Sequence, residues 1–447
     1  MNPEFQRNLW LEFTIQRVLT LCGTLLALFV LTGLFDAHGP GGMVPIAALA
    51  AFVGVAVAWG GHLAGESVLD ELRDRTWDQQ RMSALDPWSM TWGKLFGATS
   101  VAWTGGALSL AAYLGAQREA LSLHPWLVAA ACVAGAVFVQ GLSLLGALTL
   151  ARRSKRVKTV FGSRVAAALL AIGWAYLAGI ARGEDALDWY GIAWPRLPFT
   201  VVALALFAAW AVFGAYRMMC EELQVPTRPW VWLTFLLYVT GFVGGFVVGE
   251  LADPLRALRV LAALGVVVCC GGSYLAAFAL YRDPLVFRRL VTYWRAGAGR
   301  RVAEEVPVWA VSLALAGVFA VLSTLLALGG PLTVTKLESL GPATLPVWLY
   351  ALRDLCLLVA FGYGPRPERA EVSTLIWLAL LYWLVPGILK MLHFTALAAL
   401  VLPPVIEAPY RASLALATQI AVCAVFLAAS YRRRIVPPAT QLPGATL

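Results

Sequence analysis

Two kinds of residue in this chain have chemistry to offer: a dense run of charge between apolar segments, and a few polar groups inside those segments. The run is Glu66 to Lys94, ESVLDELRDRTWDQQRMSALDPWSMTWGK, and it holds Glu66, Glu71, Arg75, Asp78, Arg81, Asp86 and Lys94 among other charges. Charge at that density cannot sit in lipid, so it faces water, where its expected chemistry is recognition by a soluble partner. Groups for covalent or metal chemistry are sparse. The four histidines, His38, His62, His124 and His393, have no second ligand at helical spacing, which argues against zinc or haem. The seven cysteines lie in or beside apolar runs without metal-ligand spacing and read as small packing residues. The Gly93-Lys94 pair is followed by Leu95 and lacks the upstream glycine of a phosphate-binding loop, and no serine nucleophile elbow occurs. The chain therefore has no ATPase motif of that kind and is not expected to be an enzyme; energy for transport would come from a gradient or a partner.

The polar residues inside apolar runs are Gln140, Arg353, Asp354 and Gln419, with Glu250 at an outer end. Such groups are expensive in lipid and either line a pathway or bond one helix to another, and both readings stay open here. Arg353 and Asp354 are adjacent, about 100° apart on a helix, and are expected to pair with other helices instead of with each other.

Positioning these groups falls to membrane helices. Hydrophobic residues make up 60% of the chain and charged residues 13%, against roughly a quarter charged in soluble domains. Apolar runs of about 20 residues recur along it, at 18–35, 43–63, 95–115, 125–150, 164–181, 199–216, 230–249, 257–281, 308–329, 346–363, 372–389 and 412–430. The expected fold is an all-α, polytopic membrane bundle of about twelve helices. With the N-terminus inside, 25 of the 34 Lys and Arg residues fall on the cytoplasmic side, which places both termini there. The net charge of +9 then reflects topology and anionic lipid headgroups, without nucleic acid. No secretory signal is recognisable, so the first span is expected to be retained. Ahead of it, Phe5, Leu9 and Phe13 fall at i, i+4 and i+8, which predicts an amphipathic helix lying on the inner membrane surface.

Within the polar run, Glu66 to Arg75 are expected to carry the second span into water. Asp86-Pro87 breaks the helix, and Pro87 to Trp92 begins a short one with Trp88 and Trp92 at headgroup level and Lys94 snorkelling at the boundary. Such a handle on two spans would pass a push from the cytoplasm to both.

These residues resemble the permease subunits of ABC-2 type ATP-binding-cassette exporters. In that family the second span runs through an acidic helix end, a Gly-Thr-x-Glu element, a proline and a Gly-Lys pair, forming the coupling helix that docks on a separate ATPase. Here Glu66 to Glu71 match the acidic end, Arg75-Thr76-Trp77-Asp78 stand at the Gly-Thr-x-Glu element, and Asp86-Pro87-Trp88 through Gly93-Lys94 match the last part. Asn2 to Glu12 resemble the family's amphipathic connecting helix. The resemblance implies a permease in the bacterial inner membrane, engaged in export, with ATP and magnesium bound by partner ATPase subunits and no cofactor in this chain.

Two departures stand out. Arg75 replaces the family's glycine, and about twelve spans replace six. The chain reads as two six-helix halves, 1–223 with the coupling loop 66–94 and 224–447 with a degenerate loop at 281–309; an internal pseudo-dimer and a homodimer both stay open. Short re-entrant helices are expected at Asp188–Leu197 and Leu392–Pro404, and Gly241, Gly244 and Gly245 are expected to let the seventh span approach its neighbours closely. Two other functional classes fit the same chain. One is a proton- or sodium-driven carrier, for which Asp74-Arg75 between the second and third spans is the feature. The other is an enzyme acting on lipid-linked substrates, for which Glu184, Asp185 and Asp188 would supply the base.

Overall fold

Apolar runs that leave water must satisfy their own backbone, and in the computed structural model of this protein they do so as helices. The structure describes residues 2–38, 42–83, 85–117, 123–153, 186–249, 251, 253–279, 285–328, 342–364 and 366–435. In chain order the first helices are α1 (Pro3–Glu12), α2 (Ile15–His38), α3 (Met43–Arg73), α4 (Trp77–Arg81), α5 (Pro87–Gly97), α6 (Ser100–Ala116) and α7 (Leu123–Arg153). Strands β1 (Ala186–Trp189) and β2 (Ile192–Pro195) follow, then α8 (Arg196–Glu222), α9 (Trp230–Val248) and α10 (Pro254–Ala279). The remainder are α11 (Val286–Arg295), α12 (Gly299–Glu305), α13 (Val308–Leu328), α14 (Thr344–Gly362), α15 (Ala370–Met391), α16 (Thr395–Val401) and α17 (Pro409–Ile435).

Among the described residues, ten helices are long and apolar enough to cross a membrane, which makes the chain an all-α multi-pass membrane protein. The expected third span is bent by 52° between α5 and α6, and counting that pair as one span gives eleven. The expected fifth span, 164–181, lies outside the described residues, as do Glu184, Asp185 and Glu250.

The chain divides into two compact units, one of residues 1–187 and 193–227, the other of 188–192 and 228–447. In the first, α7 packs along α3 and α8, and α6 packs on α3. Phe52, Ala56, Val57, Ala136 and Val139 form the buried centre of this packing. In the second unit α10 packs along α13 and α9, and α14 along α17. Val266, Cys269, Cys270, Ala316, Ala320, Leu355 and Leu358 belong to its core.

One expectation needs correction. Residues 188–197 do not make a re-entrant helix. Residues 188–195 belong to two short strands, turned by Tyr190 (φ 53°) and Gly191 (φ 73°), the paired positive φ values of a tight hairpin turn, and Arg196 and Leu197 open α8. The glycines of α9 serve that turn as well as helix packing. The Tyr190 hydroxyl donates to the Gly241 carbonyl at 2.7 Å, and the Trp189 indole donates to the Phe242 carbonyl at 3.1 Å. A Cβ on Gly245 would collide with the Trp189 ring, while one on Gly244 would meet Leu261 of α10 at 2.5 Å. At 392–404 a short helix, α16, is present.

Candidate functional site

The polar run starts in the last turns of α3. Arg75 is left-handed (φ 59°), its N–H donates to the Leu72 carbonyl at 3.4 Å, and the Thr76 N–H donates to the Glu71 carbonyl at 2.9 Å. Those two bonds make a Schellman cap, whose left-handed residue is most often glycine. Arginine thus fills the position where the resemblance places glycine, at a conformational cost of about 1–2 kcal/mol, and the turn still forms.

Beyond the turn, α4 sorts its side chains. Trp77 is 4% exposed, whereas the Asp78 side chain is 84% exposed and Met82, just past the helix, is 81% exposed. Glu66 and Asp70 both hold Arg73, at 2.7 and 2.5 Å, on the outer side of α3. Arg81 points back to the end of α8, where its Nε donates to the Glu222 carbonyl at 3.0 Å, a favourable place for a cation. The break before α5 is built as the sequence predicts. Asp86 accepts the Ser89 N–H at 3.0 Å and Pro87 occupies the first turn. Hydrogen bonds from Ser89, side chain first and then backbone, hold the Asp86 carboxyl below its ordinary value of 3.8.

Lys94 does not snorkel. It is fully buried; its ammonium donates to Glu71 Oε2 at 2.5 Å and to the Ser67 carbonyl at 3.2 Å, and pairs with Glu4 Oε1 at 3.4 Å. The ammonium also lies 5.4 Å from the centre of the Trp77 ring. The other oxygen of Glu71 accepts from Gln80 at 2.6 Å and from Arg7, which also pairs with Glu4 at 3.0 Å. Two carboxylates and two cations therefore balance in one place, as a buried charge requires. Glu71 accordingly faces inward, unlike the other charges at the end of α3.

Helix α1 supplies half of this network through a face other than the expected one. Glu4 and Asn8 are its buried residues, while Trp10, Leu11 and Phe13 are exposed. The polar stripe packs on Gly93 and Gly97 of α5. A Cβ at Gly93 would come within 2.6 Å of Glu4 Cγ and 2.8 Å of the Phe5 amide nitrogen, so only glycine allows this approach. The Asn8 amide donates to the Gly93 carbonyl at 3.3 Å. At the other end Asn2 caps α1 with its oxygen and donates to the Ser89 carbonyl at 2.7 Å. Residues 93–97 form a wide π-helical turn, a local irregularity often found at functional places in helices.

On the opposite side of α5, Trp88 and Trp92 line an apolar groove of about 910 Å³ together with Phe96, Trp126, Val133 and Phe213. Trp88 also meets Tyr216 of α8 edge-on at 5.5 Å. The element thus touches α1, α3 and α8 at once.

The intramembrane polar residues fall in two places. In the first unit, the Gln140 amide donates to the Ala56 carbonyl at 2.8 Å, inside the π-helical stretch Val53–Trp59, and accepts from the Trp103 indole at 3.1 Å. In the second unit Arg353, Asp354 and Gln419 come together. Contrary to expectation Arg353 and Asp354 do pair with each other, through Nε at 2.9 Å and Nη2 at 2.7 Å to one carboxylate oxygen. The other oxygen accepts the hydroxyls of Tyr274 and Tyr382 at 2.7 and 2.9 Å. Arg353 lies 4.8 and 5.0 Å from the Tyr350 and Tyr382 ring centres, and its Nη1 donates to Gln419 at 2.7 Å. Gln419 in turn donates to the Leu400 carbonyl of α16 at 2.5 Å. The long arginine side chain bends back onto its neighbour because burial leaves no water to share its charge.

Of the second polar segment, 281–309, residues 281–284 lie outside the described residues, and the rest forms α11 and α12. Among the described residues, no three His, Cys, Asp or Glu side chains converge as a metal site. No family model, curated protein or solved structure matches this chain.

Proposed function

We propose that this chain is the permease subunit of an ATP-binding-cassette exporter, moved by separate ATPase subunits that dock on the 66–94 element from the cytoplasm. The observation that carries this reading is the division of labour in that element. Its inner side, Lys94, Glu71 and Trp77, is locked to α1 and α3, while its outer side presents Asp74, Arg75, Asp78 and Met82 to water. A push on the outer residues is passed to three helices through a buried ion network, which a flexible loop would absorb. The resemblance of Glu66–Lys94 to the ABC-2 coupling helix supports the same reading. ATP and magnesium belong to the partner. The apolar groove beside Trp88 and Trp92 favours a cargo with a large apolar part.

Asp78→Ala and Met82→Ala test this, because both side chains are exposed and have no part in the buried network. Expected is loss of co-purification with the nucleotide-binding subunit and loss of transport, at normal yield of folded permease. Retention of both activities would reject the docking assignment. Transport that survives ATP depletion and collapses with an uncoupler would reject the energy source and favour a gradient-driven carrier.

A further inference from the structure

Helix α11 carries an apolar face that the described residues of its own unit leave partly open, with Val291 and Trp294 exposed. At 100° per residue Val286, Leu290, Trp294, Phe287 and Val291 fall in one arc, and Arg288, Thr292 and Arg295 fall opposite. None of its residues is buried, and Trp294 is 76% exposed. The helix is held in place from its flanks. Arg289 makes a two-pronged contact with Glu305 of α12 at 3.1 and 2.8 Å, the Arg301 guanidinium lies 5.7 Å from the Tyr293 ring centre, and Phe287 meets Trp309 at 6.4 Å. Residues 285–309 hold five arginines against two glutamates, and Arg288, Arg295, Arg300 and Arg301 are all exposed. The segment joins α10 to α13, two helices of membrane-spanning length, so it sits at the level of a membrane face.

We infer that α11 is an interfacial anchor for an anionic leaflet: its apolar arc enters the boundary between headgroups and acyl chains, and Arg288, Arg295, Arg300 and Arg301 meet lipid phosphates. An amphipathic helix with aromatic and aliphatic residues on one side and arginine on the other has the composition for that position. Charge complementarity selects anionic lipid, since each basic residue near such a surface adds about 1 kcal/mol. The segment is then a membrane-seated brace between two spans. It differs in kind from the 66–94 element, whose exposed residues include acids and whose tryptophan at position 77 is buried. The inference rests on the membrane topology alone and holds whether or not an ATPase drives the chain.

The test uses the full chain reconstituted in phosphatidylcholine vesicles with and without phosphatidylglycerol, without any partner. A fluorophore is placed at Trp294→Cys or at Arg288→Cys, with the unsubstituted chain reporting background labelling of native cysteines. With iodide on both sides of the membrane, quenching is expected to be several-fold weaker at 294 than at 288, and spin-labelled acyl chains are expected to quench 294 the more strongly. Val291→Cys repeats the measurement should the 294 variant fold poorly. Arg288→Gln combined with Arg295→Gln removes two basic residues, so the ratio of undocked to docked helix should rise roughly thirty-fold in anionic vesicles and stay unchanged in zwitterionic ones. Equal access of iodide to both positions would overturn the inference. So would protection of 294 that arises only when a purified ATPase subunit is added, which would make this face a second protein-docking surface.

Discussion

Lys94→Met separates a buried ion network from an ordinary interfacial lysine by magnitude. Methionine keeps most of the stem and removes the charge. It leaves Glu71 and Glu4, 2.5 and 3.4 Å from the lost ammonium, with Arg7 as their remaining cation, and it leaves the Ser67 carbonyl without its lysine donor. Removing one partner of a buried pair costs about 3–5 kcal/mol. A lysine reaching water would instead lose the value of an exposed pair, about 0.2–1 kcal/mol. The two cases differ by more than the error of an unfolding measurement. Reversible unfolding by sodium dodecyl sulfate in mixed micelles, followed by circular dichroism, measures the difference. Glu71→Gln and the double variant complete a cycle in which the coupling should reach about 2 kcal/mol, the upper range for residues in direct contact. A loss below about 1 kcal/mol for Lys94→Met, or additive effects in the cycle, would refute the network and with it the mechanical link between α1 and α5.

Arg75→Gly should stabilise the chain by about 1 kcal/mol in the same unfolding assay, because glycine takes the left-handed cap without strain; a net loss would show that the arginine side chain has contacts that outweigh the strain. Gly93→Ala should destabilise by about 1–3 kcal/mol and expose the N-terminal segment to protease, since the new methyl meets the Phe5 backbone and α1 must move off α5. Asp86→Ala should lose about 1 kcal/mol of cap energy. Because the folded carboxyl lies below its ordinary 3.8, the ionised cap contributes fully above that pH and is lost as pH falls through the folded value. Asp86→Asn should keep the cap and remove this part of the acid dependence, which a pH series of unfolding midpoints would show.

Period and composition made the helices legible, and local turn chemistry made the break at Asp86-Pro87 legible, because both depend on neighbours in sequence. What failed was anything set by a third element. The direction of Lys94 depends on Glu4 lying 90 positions earlier, and the pairing of Arg353 with Asp354 depends on Tyr274, Tyr382 and Gln419 closing around both. Adjacency on a helix separates two Cβ directions by 100°, but a guanidinium on a long stem can fold back across that angle with two of its nitrogens while the third still reaches Gln419. The hairpin at 186–195 was missed for another reason. Its aromatic residues bond to carbonyls of α9, and each of its strands is only four residues long, too short for a period of two to stand out in sequence.

One signal in the sequence points to the buried site. On α1, Glu4 and Asn8 lie four apart, as do Phe5 and Leu9, so the helix has a polar stripe beside an apolar one, and only the second was assigned a partner. On α5, Gly93 and Gly97 are also four apart, which opens a groove where another backbone can approach. A polar stripe and a glycine groove with a lysine between the glycines complement one another: the groove admits the stripe, and Lys94 neutralises its carboxylate. The same reasoning explains why Glu4 and Asn8 of α1 are buried while Trp10, Leu11 and Phe13 on its other side are exposed. Through Glu4 and Asn8 the helix is tied to Lys94 and Gly93 of α5, so its polar face fixes where α1 sits.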